Sequence, residues 1–111
     1  MSPSNVSDQL ENVSVKLKAN IYFDGGVVSH TITAGGGPRR TIGLIRPGTY
    51  HFTTDAPEQM DIIAGSCKVK QAGESSWKNY AEGSTFSIPG KSSFDISVEK
   101  GLAEYLCTFR S

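Results

Sequence analysis

The sequence predicts an all-β fold of a single domain, and three observations predict it. Short runs of β-favouring residues recur along the whole chain of 111 residues. Twelve glycines and five prolines fall mostly between those runs, where turns need them. No window sustains the three-to-four spacing of apolar residues that an amphipathic helix requires, so helix content should be negligible.

Residues 1–12 are polar, with Val6 and Leu10 as isolated apolar positions, and bury too little surface to offset the cost of ordering. They are expected to form a frayed tail, leaving 13–111 as the folded domain. From Val13 the runs follow in order: Val13 to Leu17, Ile21 to Phe23, Val27 to Thr33, Thr41 to Ile45, Thr49 to Thr53 and Met60 to Ala64. They continue with Cys67 to Lys70, Trp77 to Tyr80, Thr85 to Ile88, Phe94 to Val98 and Ala103 to Phe109, which makes about eleven strands. Turn clusters separate them, as at Asp24-Gly25-Gly26, Arg46-Pro47-Gly48 and Pro89-Gly90. So many short strands hide their edges best by closure, which predicts a closed or nearly closed antiparallel barrel. Trp77 is expected to serve packing.

Eleven Lys and Arg balance eleven Asp and Glu, so no global field exists to recruit nucleic acid or an anionic membrane surface. No stretch has the apolar length of a bilayer span, and Met1 to Asn12 lacks the basic and apolar segments of a secretory leader, which predicts a cytoplasmic protein. Cys67 and Cys107 each sit inside an apolar, strand-like run, as reduced core thiols do.

Two segments carry paired motifs. Glu58 is followed after six residues by Gly65; Gly83 is followed after five by Pro89 and Gly90. Glycine permits tight connections between strands and proline fixes the turn. The pair resembles the two motifs of the cupins, which implies a cupin-type antiparallel β-barrel of jelly-roll form. Metal-binding cupins add two histidines before the glutamate and one after the proline turn. Here the first stretch reads Tyr50-His51-Phe52-Thr53-Thr54, and Phe94 follows the turn. Glu58 with His51 alone makes a poor site for a first-row metal, so no bound metal is expected.

The segments Asn20-Ile21-Tyr22-Phe23-Asp24-Gly25, Gly48 to Thr54, Ala56-Pro57-Glu58-Gln59-Met60, Trp77-Lys78-Asn79-Tyr80, Phe86 to Gly90 and Tyr105-Leu106-Cys107 narrow the resemblance. From about Asn20 to about Arg110 the chain resembles the small cupins called pyrimidine/purine nucleoside phosphorylases. That resemblance implies phosphorolysis, in which phosphate attacks the anomeric carbon of a nucleoside and releases a free base and a pentose 1-phosphate. It also implies breadth toward purine and pyrimidine nucleosides, no metal or cofactor beyond phosphate as co-substrate, and a homodimer.

Cleaving a glycosidic bond places positive charge on the sugar and negative charge on the departing base. The site therefore needs an anion anchor, a carboxylate near the sugar and an aromatic slot for the base. Arg39, after the run Gly35-Gly36-Gly37-Pro38 and aligned with an arginine of the family's loop, is the phosphate candidate, with Arg40 beside it as the alternative. Glu58 holds the cupin position that faces the barrel interior, and ribose hydroxyls are its preferred partners. Strand alternation puts Tyr50, Phe52 and Thr54 on one face and His51 and Thr53 on the other, with Phe94 and Ile96 sharing a face later. A planar base can stack on such a lining, and Tyr22 and Tyr105 add hydroxyls within the sugar's reach.

Neither a Gly-x-Ser-x-Gly elbow nor a P-loop lysine is present, so covalent catalysis and nucleotide-triphosphate binding are not favoured. Phosphate is an anion at neutral pH and needs no histidine base. The rival readings are a non-catalytic module holding a sugar or small acid in the emptied metal pocket, a metal enzyme with an altered ligand set, and a dimeric scaffold without ligand.

Overall fold

The computed structural model describes residues 9–110. Most of the expected tail, residues 1–8, lies outside them, and residues 9–12 carry no strand or helix. Eleven strands follow: β1 (Ser14–Val15), β2 (Asn20–Tyr22), β3 (Val27–Thr33), β4 (Arg40–Ile45), β5 (Gly48–Thr53), β6 (Glu58–Ala64), β7 (Ser66–Gln71), β8 (Lys78–Ala81), β9 (Thr85–Ile88), β10 (Ser93–Val98) and β11 (Ala103–Phe109). Among the described residues the helical content is one 3-10 turn, Phe23–Gly25. Strands β4 and β6 begin one and two residues before the apolar runs that announce them, so Arg40 and Glu58 belong to the ladder.

All pairings are antiparallel and form two sheets. The large sheet runs β1-β3-β4-β11-β6-β9, with β2 also on β3; the small sheet runs β5-β10-β7-β8. Between them lies a core in which Ile45 and Ile62 of the large sheet and Val69 and Ile96 of the small sheet are fully buried. Each such side chain contributes about 1.5–3 kcal/mol on leaving water. Cys67 and Cys107 are buried free thiols, as their apolar runs predict. Trp77 differs from its expectation: it is 41% exposed, with Lys70 Nζ 5.9 Å from its ring centroid.

Of the closed or nearly closed barrel expected, full closure is not observed, because no ladder joins one sheet to the other. Aromatic rings span both seams instead. Tyr80 of β8 stacks on Phe86 of β9 at 4.3 Å, while Tyr22 of β2 and Phe23 meet Phe52 of β5 at 5.9 and 5.4 Å, edge to face. Side-chain packing takes the place of a ladder at both seams.

Candidate active site

A cavity of about 810 Å³ opens between the sheets at that second seam, within the usual range for small-molecule sites of about 300–1,000 Å³. Strand register orders its lining. On β11 the inward residues are Phe109, Cys107 and Tyr105. Phe109 pairs with Glu58, Cys107 with Met60 and Thr41, and Tyr105 with Ile62 and Gly43. Arg39 immediately precedes β4; its guanidinium lies 4.0 Å from the centroid of the Phe109 ring, and Phe109 N–H donates to the Arg39 carbonyl at 3.0 Å.

Glu58 owes its place to both sequence motifs. The backbone at Gly90 approaches Pro57 and Asp55 so closely that a Cβ there would fall 2.9 Å from the Asp55 carbonyl and 3.0 Å from Pro57 Cδ. The glycine of the second motif thus lets its turn clamp the segment that leads into Glu58. Burial pushes the Glu58 carboxyl above its ordinary pKa, against the opposing pull of the Cys107 thiol and the Arg39 charge. Cys107 Sγ donates to Glu58 Oε1 at 3.5 Å, and its own pKa is raised, first by burial and then by that carboxylate. A thiol so placed stays protonated and is not a nucleophile at neutral pH. Burial likewise holds the Tyr105 phenol at about 12. Glu58 and Arg39 both line the cavity without forming a direct ion pair.

Of the residues proposed from sequence, Arg39, Glu58, Tyr22, Phe52, Phe94 and Tyr105 all line this cavity. Three do not. Tyr50 is buried behind it, its ring 5.1 Å from Phe23 and its hydroxyl turned to the Arg46 and Pro47 carbonyls at 3.0 and 3.1 Å. Thr54 ties two turns together: Oγ1 donates to the Pro89 carbonyl at 2.7 Å and accepts from Ser92 N–H at 2.9 Å. Arg40 follows Arg39 into the ladder, where alternation turns it away from the cavity-lining Thr41. His51 is 60% exposed, sits 2.7 Å from Asp95 and is also among the residues that line the cavity. Among the described residues no group of three or more His, Cys, Asp or Glu side chains could hold a metal ion.

Sequence reasoning missed Asn20, Ser29, Thr31, Thr41 and Cys107, which line the large-sheet wall. Alternation in β3 marks Ser29 and Thr31 as sharing a face with buried Val27, and that was the available signal.

Residues 17–109 match the family described as pyrimidine/purine nucleoside phosphorylase. The chain belongs to the pyrimidine/purine nucleoside phosphorylase family. A member of that name from Methylobacillus flagellatus is 54% identical over 91% of this chain and 97% of its own length; one from Cupriavidus metallidurans is 52% identical with the same coverage. Among solved structures, a protein of unknown function from Acinetobacter superposes with a TM-score of 0.90 at 36% identity, covering 94% of this chain and all of the other. Oxalate decarboxylase from Bacillus subtilis superposes with a TM-score of 0.72 at 16% identity, over the whole of this chain and 30% of that enzyme. This last likeness shows the cupin fold of the phosphorylase family and nothing of its chemistry.

Proposed function

We propose that this chain is a nucleoside phosphorylase acting on purine and pyrimidine nucleosides, with phosphate as co-substrate and without a metal. The observation that carries the reading is the order of groups along one cavity wall. Arg39 over Phe109 stands at one end, Glu58 with Cys107 next to it, and Tyr105 beyond, with Tyr22, Phe23 and Phe52 at the seam. From Phe109 to Tyr105 the strand rises roughly 14 Å, so a phosphate, a pentose and a base can lie in that sequence.

In this reading the Arg39 guanidinium holds phosphate by a two-point contact. A phosphate oxygen forms its bond to the anomeric carbon as the carbon–nitrogen bond breaks, and that electron pair leaves with the base, which takes a proton from water. Glu58 receives the pentose hydroxyls and faces the positive charge that develops on the sugar. The aromatic rings at the seam hold the planar base. The chain is also read as a cytoplasmic homodimer, in keeping with exposed Leu17 and Ile21 beside its edge strands; light scattering at micromolar concentration showing monomer alone would count against the pairing.

The decisive assay incubates the protein with inosine, adenosine, uridine and cytidine, with and without phosphate, and in the presence of a chelator. Free base released in a phosphate-dependent manner that ignores the chelator is expected. Release without phosphate would indicate a hydrolase, dependence on the chelated ion would indicate a metal enzyme, and no release would favour a binding module.

A further inference from the structure

Four residues fall in one row across the large sheet: Asn20 is opposite Ser29, Ser29 opposite Gly43, and Gly43 opposite Tyr105. A Cβ at Gly43 would lie 2.3 Å from the Val28 carbonyl and 2.8 Å from Ser29 Cβ, so this position admits no side chain. No side chain therefore stands between Ser29 and Tyr105 in the row, and Ser29 pulls the Tyr105 phenol down against the larger upward effect of burial. At the other end Asn20 Nδ2 donates to Ser29 Oγ and to Thr31 Oγ1, both at 3.2 Å. Those bonds engage the acceptor side of each hydroxyl and leave the hydroxyl protons for other partners.

Ser29 is 2% exposed and Tyr105 7% exposed, yet both line the cavity. Buried polar groups are normally paired, because an unpaired one costs free energy. Here a run of polar groups faces the same space as the rings of Phe52 and Phe94, which stack on one another at 5.6 Å. Neither the phosphate anchor nor Glu58 uses this row. A ligand that suits it is flat on its faces and carries hydrogen-bonding heteroatoms along its rim, which describes a nucleobase.

We propose that Asn20, Ser29 and Tyr105, brought together across Gly43, form the subsite that reads the heteroatom edge of the base. This assignment rests on the phosphorylase reading above. A hydroxyl can donate to a ring oxo group and accept from a ring amino group, so one row serves purines and pyrimidines alike. Asn20 is a positioning residue for the two hydroxyls as well as part of the lining.

Calorimetric titration of the intact protein with hypoxanthine, uracil, ribose 1-phosphate and inorganic phosphate, each alone, tests this without turnover. Ser29→Ala and Tyr105→Phe should each weaken both bases about five- to ten-fold, the equivalent of one lost neutral hydrogen bond, and leave phosphate within about twofold. Tyr105→Phe keeps the ring, so it remains informative if Ser29→Ala folds poorly. Asn20→Ala should produce a smaller loss in the same two titrations. A variant that loses ribose 1-phosphate while keeping the bases would reassign the row to the pentose, and unchanged base affinity in every variant would overturn the proposal. Base binding in a wild-type protein that releases no base from nucleosides would refute the phosphorylase reading and leave the row standing; a wild-type protein that binds neither base would refute the row.

Discussion

The two walls of the cavity are built from the same kind of strand and differ in what they bury: the large sheet buries polar groups among apolar ones, and the small sheet buries only apolar side chains along the lining. The large sheet presents Asn20, Ser29, Thr41, Glu58 and Tyr105 interleaved with Val27, Ile45 and Met60; the small sheet presents the rings of Phe52 and Phe94 and the side chain of Ile96, with exposed His51 and Thr53 also on the lining. The polar wall is tolerated because register places its members within reach of one another, as Asn20 is of Ser29 and Thr31, and Cys107 of Glu58. The apolar wall needs no such register, since stacked rings are satisfied by area and angle alone. Under the proposed function the large sheet supplies the groups for phosphate and pentose, and the small sheet contributes shape and part of the stack that holds the base.

Breaking the apolar wall should have the largest effect, and it should fall on stability. Phe94 is buried and stacked on Phe52, so Phe94→Ala should cost about 3–5 kcal/mol in urea unfolding. A loss below about 1 kcal/mol would mean that the small sheet does not hold the cavity's shape. On the polar wall, Gly43→Ala puts a methyl group into the backbone and side chain of the next strand. It should cost about 1–3 kcal/mol and spread Ser29 from Tyr105, lowering activity and the thermal midpoint together; a neutral substitution would show that the row has slack.

The smallest effect sharpens the comparison through pH. Burial raises the Glu58 carboxyl in the folded state, so its stabilising contribution is complete below the ordinary carboxyl pKa and is lost as pH rises through the raised value. Glu58→Gln carries no such loss. Between about pH 4 and pH 7 the thermal midpoint of Glu58→Gln should therefore climb relative to wild type in phosphate-free buffer. A constant difference across that interval would place Glu58 in contact with water rather than in a desolvated wall.

Much of this architecture is legible in the sequence. Alternation and turn residues locate all eleven strands, since most of them bury one face and turn residues bound the rest. Strand starts are less visible: Arg40 and Glu58 are long polar residues that pair in a ladder without announcing a strand. Thr54 was grouped with Phe52 by extending alternation past Thr53, where β5 ends, and the chain there turns Thr54 toward Pro89. Tyr50 does share the inward side, but its hydroxyl is taken by the turn at Arg46 and Pro47. The row of Asn20, Ser29, Gly43 and Tyr105 was hidden for a different reason. Alternation tells which face a residue occupies, whereas the row depends on which distant strands become neighbours: β11 lies beside β4 across some sixty residues of intervening chain. Gly43, read in isolation, is a weak point in a strand rather than the gap that joins two side chains.

In the proposed reaction Arg39 anchors phosphate at one end of the large-sheet wall, and the phosphate dependence of base release in Arg39→Ala, set against Arg40→Ala, tests that role. Losing a charge-assisted contact costs on the order of 2 to 4 kcal/mol, or roughly thirty-fold or more in kcat/KM for phosphate. That loss is expected for Arg39→Ala, with partial recovery in Arg39→Lys and a change within about twofold for Arg40→Ala, whose side chain lies off the cavity. Equal losses in the two alanine variants, or none in either, would contradict that role.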